Sequence, residues 1–497
     1  MDNTDRAVPA TRLSRRRALN VLALGASASG AATACTDARG EALFQRLTHA
    51  HPPTEMYDVQ RSGAICDGIT DDTEAWAHAV ATVAAAGGGL IFWRGVSVVN
   101  QISLTGKVGL RGVGPEASIL KQKAGRAPGQ HLIHLNKKDA TYVSLLDFLV
   151  DGNRYTQHDV AAAIYLDNSD GSKSGIIARH LVRNVHVRNV AGSGLYWGYG
   201  MRASLVDGFS SYNCEEFGFH GRSCSDNTFQ NMDLGRSGKH GVFLESCSNS
   251  KFSNIKSWYS GELQGASSGV YQLNGDTNIY MNISTQENAG SGMVMHGRST
   301  TIVGVSVRGL VSDSDNTSWA SSKALELNNV AYSMFDVAAV SKAPLRAKPY
   351  AGVTITRSFR NKIFACIDPS AATWELTGTS ISDNSIDLSR GINKSQIHSD
   401  IVTVHVYQHS EHWLTLRGDK VIESPLTPDG EPPVGLTYRF IIVQDDVGGH
   451  TVKWSRPYKF SSMANFDTAP NTRTIVEFQC AGSDSWIMTS FITGIPG

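Results

Sequence analysis

Two neighbouring segments concentrate groups that move protons and hold charge. Cys214-Glu215-Glu216-Phe217-Gly218 leads into Phe219-His220-Gly221-Arg222, and Arg236, Lys239 and His240 lead into Val242-Phe243-Leu244-Glu245. Two chemistries on a sugar polymer use such groups. Hydrolysis needs one carboxylic acid to protonate the leaving oxygen and a second carboxylate as base or nucleophile. Glu245 with Glu215 or Glu216 supplies a pair, with Asp233 in reserve. A carboxyl separation near ~5 Å gives retention, and one near ~6.5–9.5 Å gives inversion. Elimination on a uronic acid instead needs a cation on the substrate carboxylate and a base beside the ring carbon. Arg222 suits the first role, and His220, His240 or Tyr196 the second. Epimerisation of a sugar is a third outcome open to the same groups. A plain Arg222–Glu245 salt bridge is the non-catalytic reading of that pair.

The elements that hold these residues repeat. Gly194, Gly218, Gly241, Gly269 and Gly292 each open a short strand, at spacings of 24, 23, 28 and 23 residues. A period of that size marks a solenoid, in which no repeat buries its apolar side alone. Apolar residues alternate inside each repeat, as strands require. Leu195, Phe219, Val242, Val270 and Met293 make one inward column, and Trp197, Leu244 and Met295 a second. The expectation is a parallel β-helix with one rung per repeat. A second strand follows in each rung, as in Phe229-Gln230-Asn231-Met232 and Phe252-Ser253-Asn254-Ile255. The preceding Asn227, Asn249 and Asn278 suit left-handed turns and a stacked hydrogen-bonded ladder.

Outward positions follow from the same alternation. One column runs His134, Tyr165, Tyr196, His220, Phe243, Tyr271, Val294, Glu326. The next runs Asn136, Asp167, Gly198, Arg222, Glu245, Leu273, His296, Asn328. Aromatic rings beside polar groups suit sugars, and rungs spaced at about 4.8 Å let a glycan track along the axis. Tyr165, Asp167, Tyr196, Phe243, Tyr271 and His296 are therefore candidate substrate contacts. A subunit partner is the other cover such a row of rings would need.

Bulk composition limits the alternatives. The 497 residues carry 45 Lys+Arg against 45 Asp+Glu, and nothing in that balance argues for nucleic acid or an anionic membrane, both of which need a basic patch. The seven cysteines include no Cys-x-x-Cys pair, so zinc and redox readings have little support. Cys224 and Cys247 occupy matching positions and are expected as stacked buried thiols. No cofactor is called for. Calcium would need clustered aspartates such as Asp313-Ser314-Asp315, which also reads as an ordinary acidic loop.

The N-terminal Ser14-Arg15-Arg16-Arg17-Ala18-Leu19-Asn20, with the apolar run Val21 to Ala34, resembles a twin-arginine export signal. Its run is too short to span a membrane. Ala32-Thr33-Ala34 fits a peptidase site, and Cys35 offers lipid attachment as a competing outcome. Export would deliver the protein to the periplasm or the exterior. Residues 1–34 are thus the signal and 35–55 a linker.

Tyr57-Asp58-Val59, Cys66-Asp67-Gly68, Thr70-Asp71-Asp72-Thr73, a helical pattern through Trp76, Val80 and Val83, and Gly87-Gly88-Gly89 before Leu90-Ile91-Phe92 follow in order. Asp71 with Glu74 reads as an acidic capping box. This order resembles the opening segment of the pectate-lyase-like superfamily, which includes rhamnogalacturonases, polygalacturonases and phage tailspikes. The resemblance implies a right-handed parallel β-helix over 56–397 with the helix capping its open end. It leaves the reaction open, because unrelated chemistries share the fold. The polygalacturonase Asn-Thr-Asp and Asp-Asp pairs are absent here. From 398 to 497 the pattern changes to hairpin-like strands, Ile401 to Tyr407, Tyr438 to Val443, Thr451 to Trp454, Ile475 to Phe478 and Trp486 to Met488. They read as an antiparallel sandwich, similar to those ending phage tail proteins, which implies trimer assembly or glycan contact.

The sequence thus points to an exported carbohydrate-active enzyme, with hydrolase ahead of lyase. The alternative is a non-catalytic, tailspike-like glycan-binding homotrimer.

Overall fold

A computed structural model describes residues 56–496 apart from internal stretches, the longest being 169–177, 314–322, 341–349, 374–384, 388–400, 403–410 and 424–434. The expected signal and linker, Ser314-Asp315 and most of the strand expected over 401–407 lie outside the described residues.

The chain winds into a right-handed parallel β-helix with three faces. Face 1 is a ten-stranded parallel sheet running from Ile102–Ser103 to Val353–Thr356. Faces 2 and 3 come from longer strands that bend, such as Thr228–Ser237, Lys251–Trp258 and Ile279–Gln286. The bend falls on a left-handed residue, Asn231, Asn254 or Asn282. These three form the exposed side-chain ladder. Asn282 Nδ2 donates to Asn254 Oδ1 at 3.1 Å, Asn254 Nδ2 to Asn231 Oδ1 at 3.0 Å, and Asn231 Nδ2 to Asp207 Oδ1 at 2.7 Å. The ladder expected at Asn227, Asn249 and Asn278 is corrected accordingly. Of those three only Asn249 is left-handed. Asn227 and Asn278 are buried, where an amide must satisfy backbone rather than another surface amide.

They belong to an inner ladder that joins rung to rung. Val143 N–H donates to His180 Nδ1 at 3.0 Å, His180 N–H to Ser204 Oγ at 2.9 Å, and Ser204 N–H to Asn227 Oδ1 at 3.1 Å. Asn227 N–H continues to Ser250 Oγ at 3.3 Å, and Ser250 N–H to Asn278 Oδ1 at 2.9 Å. The pattern resumes with Val305 N–H on Ser333 and Ser333 N–H on Asn361. At each corner the strand ends, and the side chain one rung on takes the amide that the sheet leaves unpaired.

The apolar columns fill the interior. Leu195, Phe219, Val242, Val270 and Met293 pair in register and are buried. Phe229, Phe252 and Tyr280 stack behind them with centroids 4.9 Å apart. The strand-opening glycines sit where faces 3 and 1 come closest. A Cβ on Gly218 would lie 2.7 Å from Ser211 Oγ and 3.0 Å from Ser237 Oγ. On Gly241 it would collide with Ser257 Oγ and stand 2.9 Å from the Gly269 carbonyl oxygen. Cys224 and Cys247 stack as buried free thiols with sulfurs 2.7 Å apart.

Helix Thr73–Ala85 covers the open end, burying Trp76, Ala79, Val80 and Val83 at helical spacing. The expected capping box does not form. Asp72, not Asp71, is the N-cap residue, and its carboxylate turns inward instead of closing the helix. It accepts from Ile65 N–H at 2.7 Å, Cys66 N–H at 3.1 Å and Ser97 Oγ at 2.6 Å, while Trp76 Nε1 donates to Ser97 Oγ at 2.8 Å. A buried carboxylate needs that many donors. Asp71 stays outside, on Thr73 N–H and Lys123.

The C-terminal region forms two sheets, one of five strands and one of three. Its long hairpin, Thr472–Gly482 with Ser485–Pro496, is antiparallel, as is the pairing of Thr437–Gln444 with Thr472–Gly482. The flanking pairs are parallel, Glu411–Leu416 on Thr437–Gln444 and the whole three-stranded sheet, so the sandwich is mixed. A hairpin sequence reveals its own pairing, but a crossover connection does not.

Two outcomes follow. Gly241→Ala should destabilise the fold by about 1–3 kcal/mol through overpacking, and Ser257→Ala in the same chain should recover part of that loss, read by urea unfolding. His180 is fully buried, and burial pushes its pKa down to about 3. Its contribution to stability is complete above the unfolded value near 6.5 and is lost as pH falls toward 3. His180→Asn copies the Asn rungs of the ladder and should remove about 2–4 kcal/mol of the acid sensitivity between pH 6.5 and 3. An unchanged pH slope in that variant would contradict this assignment.

Candidate functional site

The outward columns of face 1 form a continuous strip. Register pairs His134, Tyr165, Tyr196, His220, Phe243, Tyr271, Val294 and Glu326 one above another. Tyr165 and Tyr196 stack at 4.4 Å and 4°. His131 extends the stack, 4.2 Å from Tyr165. Tyr196 meets His220 edge-on at 4.9 Å, and His220 lies 5.0 Å from Phe243. Phe217, one position before a strand-opening glycine, packs 4.8 Å from Phe243. His240 occupies the same position one rung on and stacks on Tyr271 at 4.6 Å. Tyr271 Oη is 2.9 Å from His296 Nδ1. The rings of the column are half-buried, and the aliphatic Val294 is buried outright.

The second column carries the charge. Arg222 Nε is 3.2 Å from Glu245 Oε2, and Arg222 also bonds the Tyr196 hydroxyl. Glu245 and then Tyr196 hold the guanidinium pKa above its ordinary value. Asp167 is buried two rungs before Arg222, with the Tyr165 hydroxyl 3.4 Å from its Oδ2. Gly198 stands on the rung between. A Cβ there would overlap the Asp167 carboxylate, whose Cγ would be 2.7 Å away. The missing side chain therefore lets Asp167 lean along the axis toward Arg222 and Glu245. Burial, with Asp167 second, raises the pKa of both tyrosines, so each phenol keeps its proton.

The remaining candidates separate. Glu215 faces Arg154, 3.9 Å away, on the face 3 side of the corner. Glu216 is bound to Lys239 at 2.7 Å, beside the ring of Phe217. Both precede the strand that ends at Arg222, whereas Glu245 sits at the far end of the next strand. The strand's four residues alone separate those ends by about 10 Å at ~3.3 Å per residue. Asp233 is on face 3, where it accepts from Trp258 Nε1 at 2.6 Å. His220 and His240 are largely enclosed, and burial followed by Arg222 or Lys239 pushes each down to about 4. His240 Nδ1 accepts the Ser268 N–H at 2.9 Å, and His220 Nε2 is buried without a hydrogen-bond partner.

Sequence reasoning placed Gly198 in the column without seeing its use. It passed over His131 and Phe217, although Phe217 recurs one repeat later as His240 before the same glycine. Among the described residues no group of three His, Cys, Asp or Glu side chains gathers to hold a metal. No helix of the described residues is long and apolar enough to cross a membrane.

Comparison with known proteins bears on the fold. A family model for a phage tail fibre C-terminal domain matches residues 402–485. The enzymatically active domain of tailspike protein 2 from bacteriophage CBA120 superposes with a TM-score of 0.55 at 14% identity, covering 89% of this chain and 70% of that one. The A-module of mannuronan C-5 epimerase AlgE4 from Azotobacter vinelandii gives 0.50 at 15% identity, covering 67% and 96%. The catalytic unit of the GH87 alpha-1,3-glucanase from Streptomyces thermodiastaticus strain HF3-3 gives 0.43 at 16% identity, covering 68% and 70%. No curated protein matches in sequence. The chain thus shares its β-helix with phage tailspikes and pectate-lyase-like enzymes, and carries a tail-fibre-type segment near its C-terminus.

Proposed function

We propose that the protein is exported, binds a polysaccharide lengthwise on face 1 and hydrolyses it at the Gly198 gap. The observation that carries this is the gap itself, because it gives the Asp167 carboxylate room on the side of the Arg222–Glu245 pair. Asp167 and Glu245 stand three rungs apart, about 14 Å of backbone at ~4.8 Å per rung. With both side chains reaching inward, roughly 6–9 Å remains between the carboxyl groups, the range in which a water fits and inversion results. One carboxyl protonates the leaving oxygen and the other activates that water. Tyr165 and Tyr196 present ring faces and protonated hydroxyls to the sugar. Arg222 orients Glu245.

Elimination is supported less well. It needs a base beside the ring carbon, and the Tyr196 phenol stays protonated while His240 Nδ1 already accepts the Ser268 N–H. Its cation, Arg222, is already engaged by Glu245. The non-catalytic reading, a glycan-binding trimer, draws support from the tail-fibre match over 402–485.

The test is a polysaccharide panel followed by reducing-end release and by absorbance of unsaturated products. Release without absorbance is expected, with inverted anomers by proton NMR of early products. Asp167→Asn and Glu245→Gln should each lower kcat by at least about a hundredfold, in the range of lost acid–base catalysis. Gly198→Ala should do nearly as much by displacing Asp167. Glu215→Gln should leave kcat within about twofold. Absorbance at the product double bond would replace hydrolysis by elimination. Binding without cleavage, with a threefold mass by light scattering, would establish the adhesive trimer instead.

A further inference from the structure

Face 3 carries an aromatic platform that the face 1 reading does not use. Tyr212, Gly235 and Trp258 stack in register on successive rungs. A Cβ on Gly235 would lie 2.5 Å from Trp258 Cζ2 and 2.6 Å from Cε2. The indole therefore rests flat on the backbone of the rung before it, in space that any other residue would fill. Its Nε1 donates to Asp233 Oδ1 at 2.6 Å, which fixes the ring's rotation. Tyr212 adjoins it at 5.8 Å and 40°, with 42% of its surface exposed. Lys256 Nζ stands 5.8 Å from the Trp258 ring, and the Arg236 guanidinium 5.9 Å from the Tyr212 ring.

Two kinds of occupant suit an exposed Tyr212 beside a half-buried Trp258, a second copy of this chain or a sugar. The rim decides between them. Asp233, Arg236 and Lys256 are exposed and crowd the rings. The core of a protein interface is depleted of such charges, because each must be stripped of water. Sugar hydroxyls accept from the cations and donate to the carboxylate while leaving them solvated. A pyranose presents an apolar C–H face of ring size, and a ring already held in place costs little ordering on binding.

We propose that face 3 holds a second, non-catalytic carbohydrate site, in which the apolar face of a pyranose packs on Trp258 and Tyr212 with Lys256 and Arg236 at its edge. It would retain a long polymer beside the face that acts on it. It stands independently of the reaction proposed for face 1.

The test is affinity electrophoresis of the full chain in native gels containing alginate, polygalacturonate, xylan or dextran. At least one gel should retard the protein. Trp258→Ala and Tyr212→Ala should each weaken that retardation about tenfold in Kd, the equivalent of one ring contact. Trp258→Phe keeps a ring and should retain most of the binding, so a folding defect in the alanine variant does not decide the matter. Glu245→Gln should leave the Trp258 contribution unchanged. No retardation by any gel, or retardation of the Trp258→Ala and Tyr212→Ala variants equal to that of the unaltered chain, would overturn the proposal. So would a change of assembly mass by light scattering in Trp258→Ala, which would give the platform to a second copy.

Discussion

The architecture depends on one close approach, where the end of face 3 passes the start of face 1. Serine and threonine side chains from face 3 fill the space that a Cβ would need, at Gly218, Gly241, Gly269 and Gly292 alike. The next strand also bonds there, with Phe219 N–H on the Gly241 carbonyl at 2.9 Å and Val242 N–H on that of Gly269 at 2.9 Å. Glycine therefore fixes the first residue of five consecutive face 1 strands, from Leu195–Trp197 to Met293–His296. Everything after it follows from alternation. A slip of one residue would turn Tyr196, His220 and Phe243 into the core and Leu195, Phe219 and Val242 into solvent. Over these rungs the polar strip exists because that slip is blocked.

This constraint also explains which parts of the structure were legible in the sequence. Period and alternation are one-dimensional, so the rungs and both outward columns could be read directly. Corners were harder. Asn227 and Asn231 recur with the same period, and spacing alone does not say which one bends the chain and which one faces inward. Glu215 and Glu216 are adjacent in sequence but straddle a corner, one toward Arg154 and the other toward Lys239. A strand rule for side-chain direction fails at such a point. Trp258 was hidden differently. Its partner is an absence, Gly235, and only coordinates show that an indole occupies the space.

The Arg222–Glu245 pair adds little to the fold. Arg222 is 57% exposed, and ion pairs of that kind contribute about 0–1 kcal/mol. Rungs already held by ladders and apolar columns do not need it. Gly198, one residue past the strand Leu195–Trp197, also leaves no side chain to pack. A rung that omits a side chain where its neighbours carry Asp167 and Arg222 gives up local stability at the point where charge is gathered. That combination is expected of a site rather than of a scaffold.

Ring orientation on face 1 completes the argument. An unanchored surface tyrosine loses rotamer freedom when a ligand packs on it. Here the hydroxyls are tied down beforehand, Tyr165 to Asp167, Tyr196 to Arg222 and Tyr271 to His296. Tyr165 and Tyr196 are further held by stacking on each other. In the proposed function the polar column does two things: it supplies the reacting groups and it fixes the aromatic column that faces the sugar. The cost of ordering is met when the chain folds, and little remains to oppose binding. On face 3 the same logic uses different parts, with Asp233 and the gap at Gly235 holding Trp258 in place of a hydroxyl anchor.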